Sequence, residues 1–171
     1  MLVAELTVDF KHLNSETILE DWEWLIGKNK FPILLTASGN AFLQDTEDGT
    51  IHMLDVAANE LEVVAESIST FKCLLSEQNF TNEYLNAQFV CSLRLSGLVL
   101  QPGQIYSFII PPIVGGQCEN GNIEISDIAT HFAINGQIGH QVNDLPPGTP
   151  ITNITITKRP KPKTHWWKFC S

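Results

Sequence analysis

The chain has 171 residues, 43% of them hydrophobic and 17% charged, with a formal net charge of −9. That length suits one domain whose core buries about two-thirds of the unfolded-chain surface, and the composition excludes a disordered or fibrous protein. The charge is uneven: residues 1–157 hold all 19 acids against Lys11, Lys28, Lys30, Lys72 and Arg94, a net of −14, whereas residues 158–171 carry five bases and no acid. An acidic body repels nucleic acid and favours basic protein partners.

Along the chain, Ile18, Leu19, Trp22, Leu25 and Ile26 recur at helical spacing, so residues 15–27 read as an amphipathic helix ending at Gly27. Four short β-prone runs follow, PILLTAS, NAFLQDT, TIHMLDV and LEVVAE. Ser38-Gly39-Asn40, Glu47-Asp48-Gly49 and Ala58-Asn59 separate them as turns, which predicts an antiparallel meander. Helical periodicity returns over Ser67–Leu75 and again from about Asn82 to Leu95, and both helices are expected on one side of the sheet. Residues 104–110 read as a strand stopped by Pro111-Pro112, with a sharp bend at Gly115-Gly116.

A short strand from Asn122 leads into the near-helical series Ile128, Phe132, Ile138 and Val142, weakened by Gly136 and Gly139 and closed at Pro146-Pro147-Gly148. Alternating threonine and isoleucine at 152–157 predicts a half-exposed final strand. The expected architecture is α+β: an antiparallel meander sheet with helices packed mainly on one side, a single domain over 1–157, and a basic tail over 158–171 containing Pro and Trp166-Trp167.

The acidic N-terminal stretch carries no signal-peptide pattern, and no run reaches the length of a membrane span. Cys73, Cys91, Cys118 and Cys170 are scattered, with no CxxC pair, as expected of free thiols in a reducing cytosol.

The strings along this order resemble the C-terminal domain family of type VI secretion DNase-effector immunity proteins. They are Trp24-Leu25-Ile26-Gly27 with Pro32, Gly39-Asn40-Ala41-Phe42-Leu43 with Asp45 and Gly49, and His52 with Leu54-Asp55. The resemblance continues through Tyr106-Ser107-Phe108, Pro111-Pro112-Ile113, Gly115-Gly116, Asn122-Ile123-Glu124, His131, Gly136-Gln137-Ile138 and Asp144-Leu145-Pro146-Pro147-Gly148-Thr149. It implies a cytoplasmic, non-catalytic protein that binds and neutralises a cognate nuclease toxin, with no cofactor or metal and neither nucleic acid nor membrane as a partner. Gly115, Gly116, Asn122, His131, Gln137, Pro147 and Gly148 are the positions that carry the family motif.

A DNase needs a basic face to hold phosphates, so the acids Asp45, Glu47, Asp48, Asp55, Glu60, Glu62 and Glu66 are candidate partner contacts, against the plainer reading of a solvated hairpin edge. Trp24 lies off the apolar stripe of its helix and is a candidate interface anchor. His131 and His140 lack the spacing of a helical zinc pair and read as structural, and Asp144 lies four residues after His140. The glycine-rich segment IVGGQCENGN has no phosphate-loop pattern, and Cys118 has no base nearby in sequence. Two other readings stand beside the immunity protein: a ligand-responsive regulatory domain using the Pro111–Asn122 loop and His131, and a hydrolase using His131, His140 and Asp144.

Overall fold

The four β-prone runs form consecutive antiparallel strands, each joined to the next by a turn whose polar side chains cap its own backbone. The computed structural model describes residues 2–15, 17–146 and 148–157. A short β1 (Thr7–Val8) precedes β2 (Lys30–Thr36), β3 (Ala41–Asp45), β4 (Ile51–Asp55) and β5 (Glu60–Ala65), and the sheet order is β1-β2-β3-β4-β5. Cross-strand partners share a face: Phe42 opposite Met53 points to one side, and Ala41 opposite Leu54 to the other. Both pairs are buried, so each face of the sheet is covered.

One face takes α2 (Ile68–Leu74), α3 (Gln78–Tyr84) and α4 (Ala87–Leu95), packed through Phe42, Phe71, Phe80, Leu85, Val90 and Leu93. Phe42 and Phe71 lie 4.8 Å apart between ring centroids, and Phe80 approaches both. The helix expected from Asn82 to Leu95 is therefore two helices. Asn86 adopts φ 51°, in the left-handed region that asparagine tolerates better than most residues, and its carbonyl starts α4 by accepting from the Val90 N–H. The break turns the chain while Leu85 stays fully buried beside it.

The opposite face takes a 3-10 turn (Glu20–Trp22), α1 (Glu23–Ile26) and α5 (Ile128–Val142). Gly27, at φ 75°, ends α1, and Asp127 caps α5 by accepting from the Thr130 N–H. Gly136 and Gly139 do not interrupt α5. A Cβ on Gly136 would lie 2.7 Å from the Asp21 carbonyl oxygen, and one on Gly139 would lie 2.5 Å from the Asn59 side-chain oxygen. The glycines let α5 sit directly on the 3-10 turn and on the β4–β5 turn. β6 (Gln104–Phe108) and β7 (Ile123–Asp127) pair as a separate antiparallel ribbon, tied to the sheet where the Tyr106 N–H donates to the Ala37 carbonyl at 3.0 Å.

The final strand expected at 152–157 has no strand neighbour among the described residues. Its partners are side chains of α5. Gln141 accepts from the Thr155 N–H at 3.0 Å and donates to the Thr155 carbonyl at 2.9 Å, and Gln137 does the same for Thr157 at 2.7 and 3.2 Å. Four residues of helix rise about 6 Å, close to the roughly 6.6 Å of two residues of extended chain, so glutamines at i and i+4 meet alternate residues of such a chain. Replacing both Gln137 and Gln141 by Ala is expected to speed amide exchange at Thr155 and Thr157 at least tenfold without unfolding α5, as read residue by residue by NMR.

Candidate interaction surface

The predicted acidic array divides when placed on the sheet. Asp45 is only 6% exposed. It pairs with the Lys30 ammonium at 2.9 Å and accepts from the Asn29 side-chain amide and the Glu47 N–H. The Glu47 N–H first, and then the Lys30 ammonium, hold its carboxyl below the ordinary range. Asp45 therefore organises the β3–β4 turn, with its carboxylate engaged inside the fold. The reason is its position across from Lys30 on a strand covered on both faces.

Glu47 and Asp48 are exposed on that turn, where Asp48 also accepts from the Thr50 hydroxyl and N–H. Asp55 lies half-buried at the other end of β4, accepting from the Ala57 and Ala58 N–H groups. A five-residue strand separates these turns by about 16 Å. The exposed acids that remain on one element are Glu60 and Glu62 of β5, with Glu66 just beyond.

Glu62 is opposite Met53, on the face covered by α2–α4. There its charge reaches the phenol of Tyr84 on α3, whose pKa is raised by partial burial first, then by Glu62 and by the adjacent Glu83, a residue the sequence pattern does not single out. Residues 45–86 hold nine acids and one base, Lys72, a run visible in sequence only if the helices are counted with the hairpins.

Trp24 is not a free anchor. Its indole stacks on Trp22 with centroids 6.0 Å apart and on His140 at 5.3 Å, and its Nε1–H donates to the Gly136 carbonyl at 3.2 Å. It struts α1 against α5, and its half-buried ring presents only part of its surface.

The motif positions build loops and core contacts. Asn122 clasps the 109–122 loop: its side-chain oxygen accepts from the Ile110 N–H, and its amide donates to the Ile110 and Gln117 carbonyls. Gly115 has φ 97°, and a Cβ on Gly116 would fall onto the Ile110 carbonyl. His131 is fully enclosed. One ring nitrogen, Nε2, is 2.8 Å from the Gly39 carbonyl, which can only accept, so Nε2 carries the proton and Nδ1 accepts from the Ser107 hydroxyl at 2.8 Å. Burial lowers its pKa to about 4, so the ring is neutral at pH 7.

Both nitrogens of His131 are thus occupied, while His140 is exposed on the Trp24 side and Asp144 bonds to Asn143. The three proposed hydrolase residues do not converge. No group of three His, Cys, Asp or Glu residues able to hold a metal exists among the described residues. Cys73 and Cys118 are exposed free thiols and Cys91 is half-buried, whereas Cys170, Pro147, Trp166 and Trp167 lie outside the described residues. Gly148 takes φ 82°.

Two clefts stand out, one of about 370 Å³ beside Glu5, Thr7, Arg94 and Tyr106, and one of about 500 Å³ beside Asn79, Asn82, Glu83 and Phe89. Neither is lined by His131 or the 111–122 loop.

Residues 65–139, from the end of β5 into α5, match the family model described as T6SS immunity protein Tdi1, C-terminal. This segment is similar to that family. It contains the Asn122 clasp, His131 and Gln137, so the motif positions within the Tdi1-type segment serve its internal architecture in the ways just described. The strings at 24–55 and 144–149 lie outside it.

A crystal structure of Atu4351 from Agrobacterium tumefaciens shares the fold, with a TM-score of 0.53 at 19% identity over 74% of this chain. The chain covers 65% of that protein. No curated protein matches the chain. No helix among the described residues is long and apolar enough to cross a membrane.

Proposed function

We propose that the chain is a non-catalytic immunity protein that binds a cognate secreted nuclease toxin in the cytoplasm and neutralises it by covering its active face. The Tdi1-type segment is the observation that carries this reading. The acidic surface of β5 and α3, with Glu60, Glu62 and Glu83, supplies the contact. A nuclease face that holds phosphates is basic, so an acidic surface competes for the same side chains and accelerates encounter.

Charge reversal at Glu60, Glu62 and Glu83 together is expected to slow association with the toxin about tenfold or more at low ionic strength, with the deficit shrinking in high salt. Reversal at Glu47 and Asp48, on a separate turn, is expected to have a smaller effect. The test is affinity capture of the toxin from lysate of the producing cell, followed by stopped-flow association of the purified pair. A captured protein with no nuclease activity, or equal rates for the triple variant and the parent, contradicts the reading.

A further inference from the structure

β5 ends the sheet, and among the described residues the backbone of Glu60–Ala65 hydrogen-bonds only with β4. In an antiparallel strand, alternate residues turn their N–H and C=O groups away from the neighbour, so the outer side of β5 presents an unpaired row. The opposite edge, β1, is only Thr7–Val8.

The two sides of β5 differ in chemistry. Glu60 and Glu62 are opposite Asp55 and Met53, on the side covered by α2–α4. Leu61 and Val63 are opposite Leu54 and His52, toward α1, and Val63 is 59% exposed. A shift of register between Val63 and Ala65 ends the regular row at Val63.

We propose that the outer edge of β5, over Glu60–Val63, takes an extended segment of the toxin as a sixth strand. Its lysines or arginines would face Glu60 and Glu62, and its apolar residues would face Val63. This rests on the immunity reading above. Backbone pairing supplies the affinity of such strand addition, and alternate side chains supply the selection. A second copy of the chain is a poor occupant, because edge-to-edge pairing would place the glutamates of both copies in one ladder, and like charges directly opposite destabilise a sheet.

The probes are three synthetic peptides offered to the full chain: one alternating lysine and valine, one of equal charge with prolines replacing two valines, and one alternating glutamate and valine. The alternating basic peptide is expected to bind and to protect from exchange the amides within Glu60–Val63 that point away from β4. The proline peptide, which keeps the charge but cannot form a ladder, is expected to bind about tenfold more weakly or worse and to protect none of them. The Glu62→Lys variant is expected to lose the basic peptide by a similar factor.

Equal binding of both basic peptides without protection overturns strand addition and leaves the acidic-surface reading standing. Binding by neither overturns strand addition too, while toxin capture separately decides the immunity reading. Amides at 60–63 that point away from β4 but are already protected in the free chain, independent of its concentration, would make the basic residues 158–171 the occupant. Protection that rises with concentration would make it a second copy. Either result overturns the proposal.

Discussion

Lowering the pH from 6.5 toward 4 is expected to destabilise the fold by about 3 kcal/mol through His131 alone. In the unfolded chain the imidazole takes up a proton near its ordinary value of 6.5, whereas in the folded protein burial delays this to about 4. Between those values the unfolded state binds more protons, so the stability contributed by the neutral ring is complete above 6.5 and is lost as pH falls through the window. His52, also lowered by partial burial and by Lys30, adds to the loss with the same sign. Asp45 and Asp48, held low by their hydrogen bonds, contribute stability that is present above their ordinary value of 3.8 and lost below it, outside this window.

Comparison with His131→Ala isolates the ring. That variant leaves the Ser107 hydroxyl and the Gly39 carbonyl buried without partners and opens a cavity, so it is expected to be about 3 to 5 kcal/mol less stable at pH 7. Its stability should nonetheless change less than the parent's between pH 6.5 and 4. Urea melts at several pH values measure both quantities, and parallel pH profiles for the two proteins would contradict the assignment.

Gly136→Ala is expected to cost about 2 to 4 kcal/mol, although alanine favours a free helix over glycine by about 1 kcal/mol. The new Cβ would lie 2.7 Å from the Asp21 carbonyl oxygen and 2.9 Å from its carbonyl carbon, both backbone atoms that no rotamer change can move. Trp22 marks the same junction, its Nε1–H donating to the Phe132 carbonyl at 2.9 Å, so the loss should appear as a lowered midpoint with a perturbed tryptophan signal. Gly121→Ala, where a Cβ meets only the Glu119 side chain at 3.9 Å, is the matched control and is expected to be near neutral. A stabilised Gly136→Ala protein would show that α5 does not press on the 3-10 turn as described.

These two positions mark where the sequence was readable and where it was not. The strands of the meander could be placed because Phe42, Leu43, Met53 and Leu54 sit between turns with chemically distinct residues, Gly39, Gly49 and Asn59. Gly136 reads as a weak point in a helix, since the backbone that needs its missing side chain is more than a hundred residues earlier. Asp45 reads as one acid among several because nothing local announces Lys30 across the sheet.

Residues 152–157 carry the alternation of a strand, but alternation specifies an extended chain and not its partner, here two glutamines. Glu83 reads as a single acid among amides, and only the fold places α3 on the face of the sheet that Glu62 shares. His131 could be read as structural from spacing alone, while its hydrogen-bond partners Gly39 and Ser107 could not be read at all.

The most direct test of the account is a neutralisation titration, in which DNA cleavage by the purified toxin is followed as the chain is added. The account predicts that cleavage falls to zero at a defined stoichiometry and that the variant reversed at Glu60, Glu62 and Glu83 requires a large excess to reach the same inhibition. Cleavage unaffected by the parent chain would contradict the immunity role, and full protection by the triple variant at the same stoichiometry would contradict the acidic surface of β5 and α3 as its means.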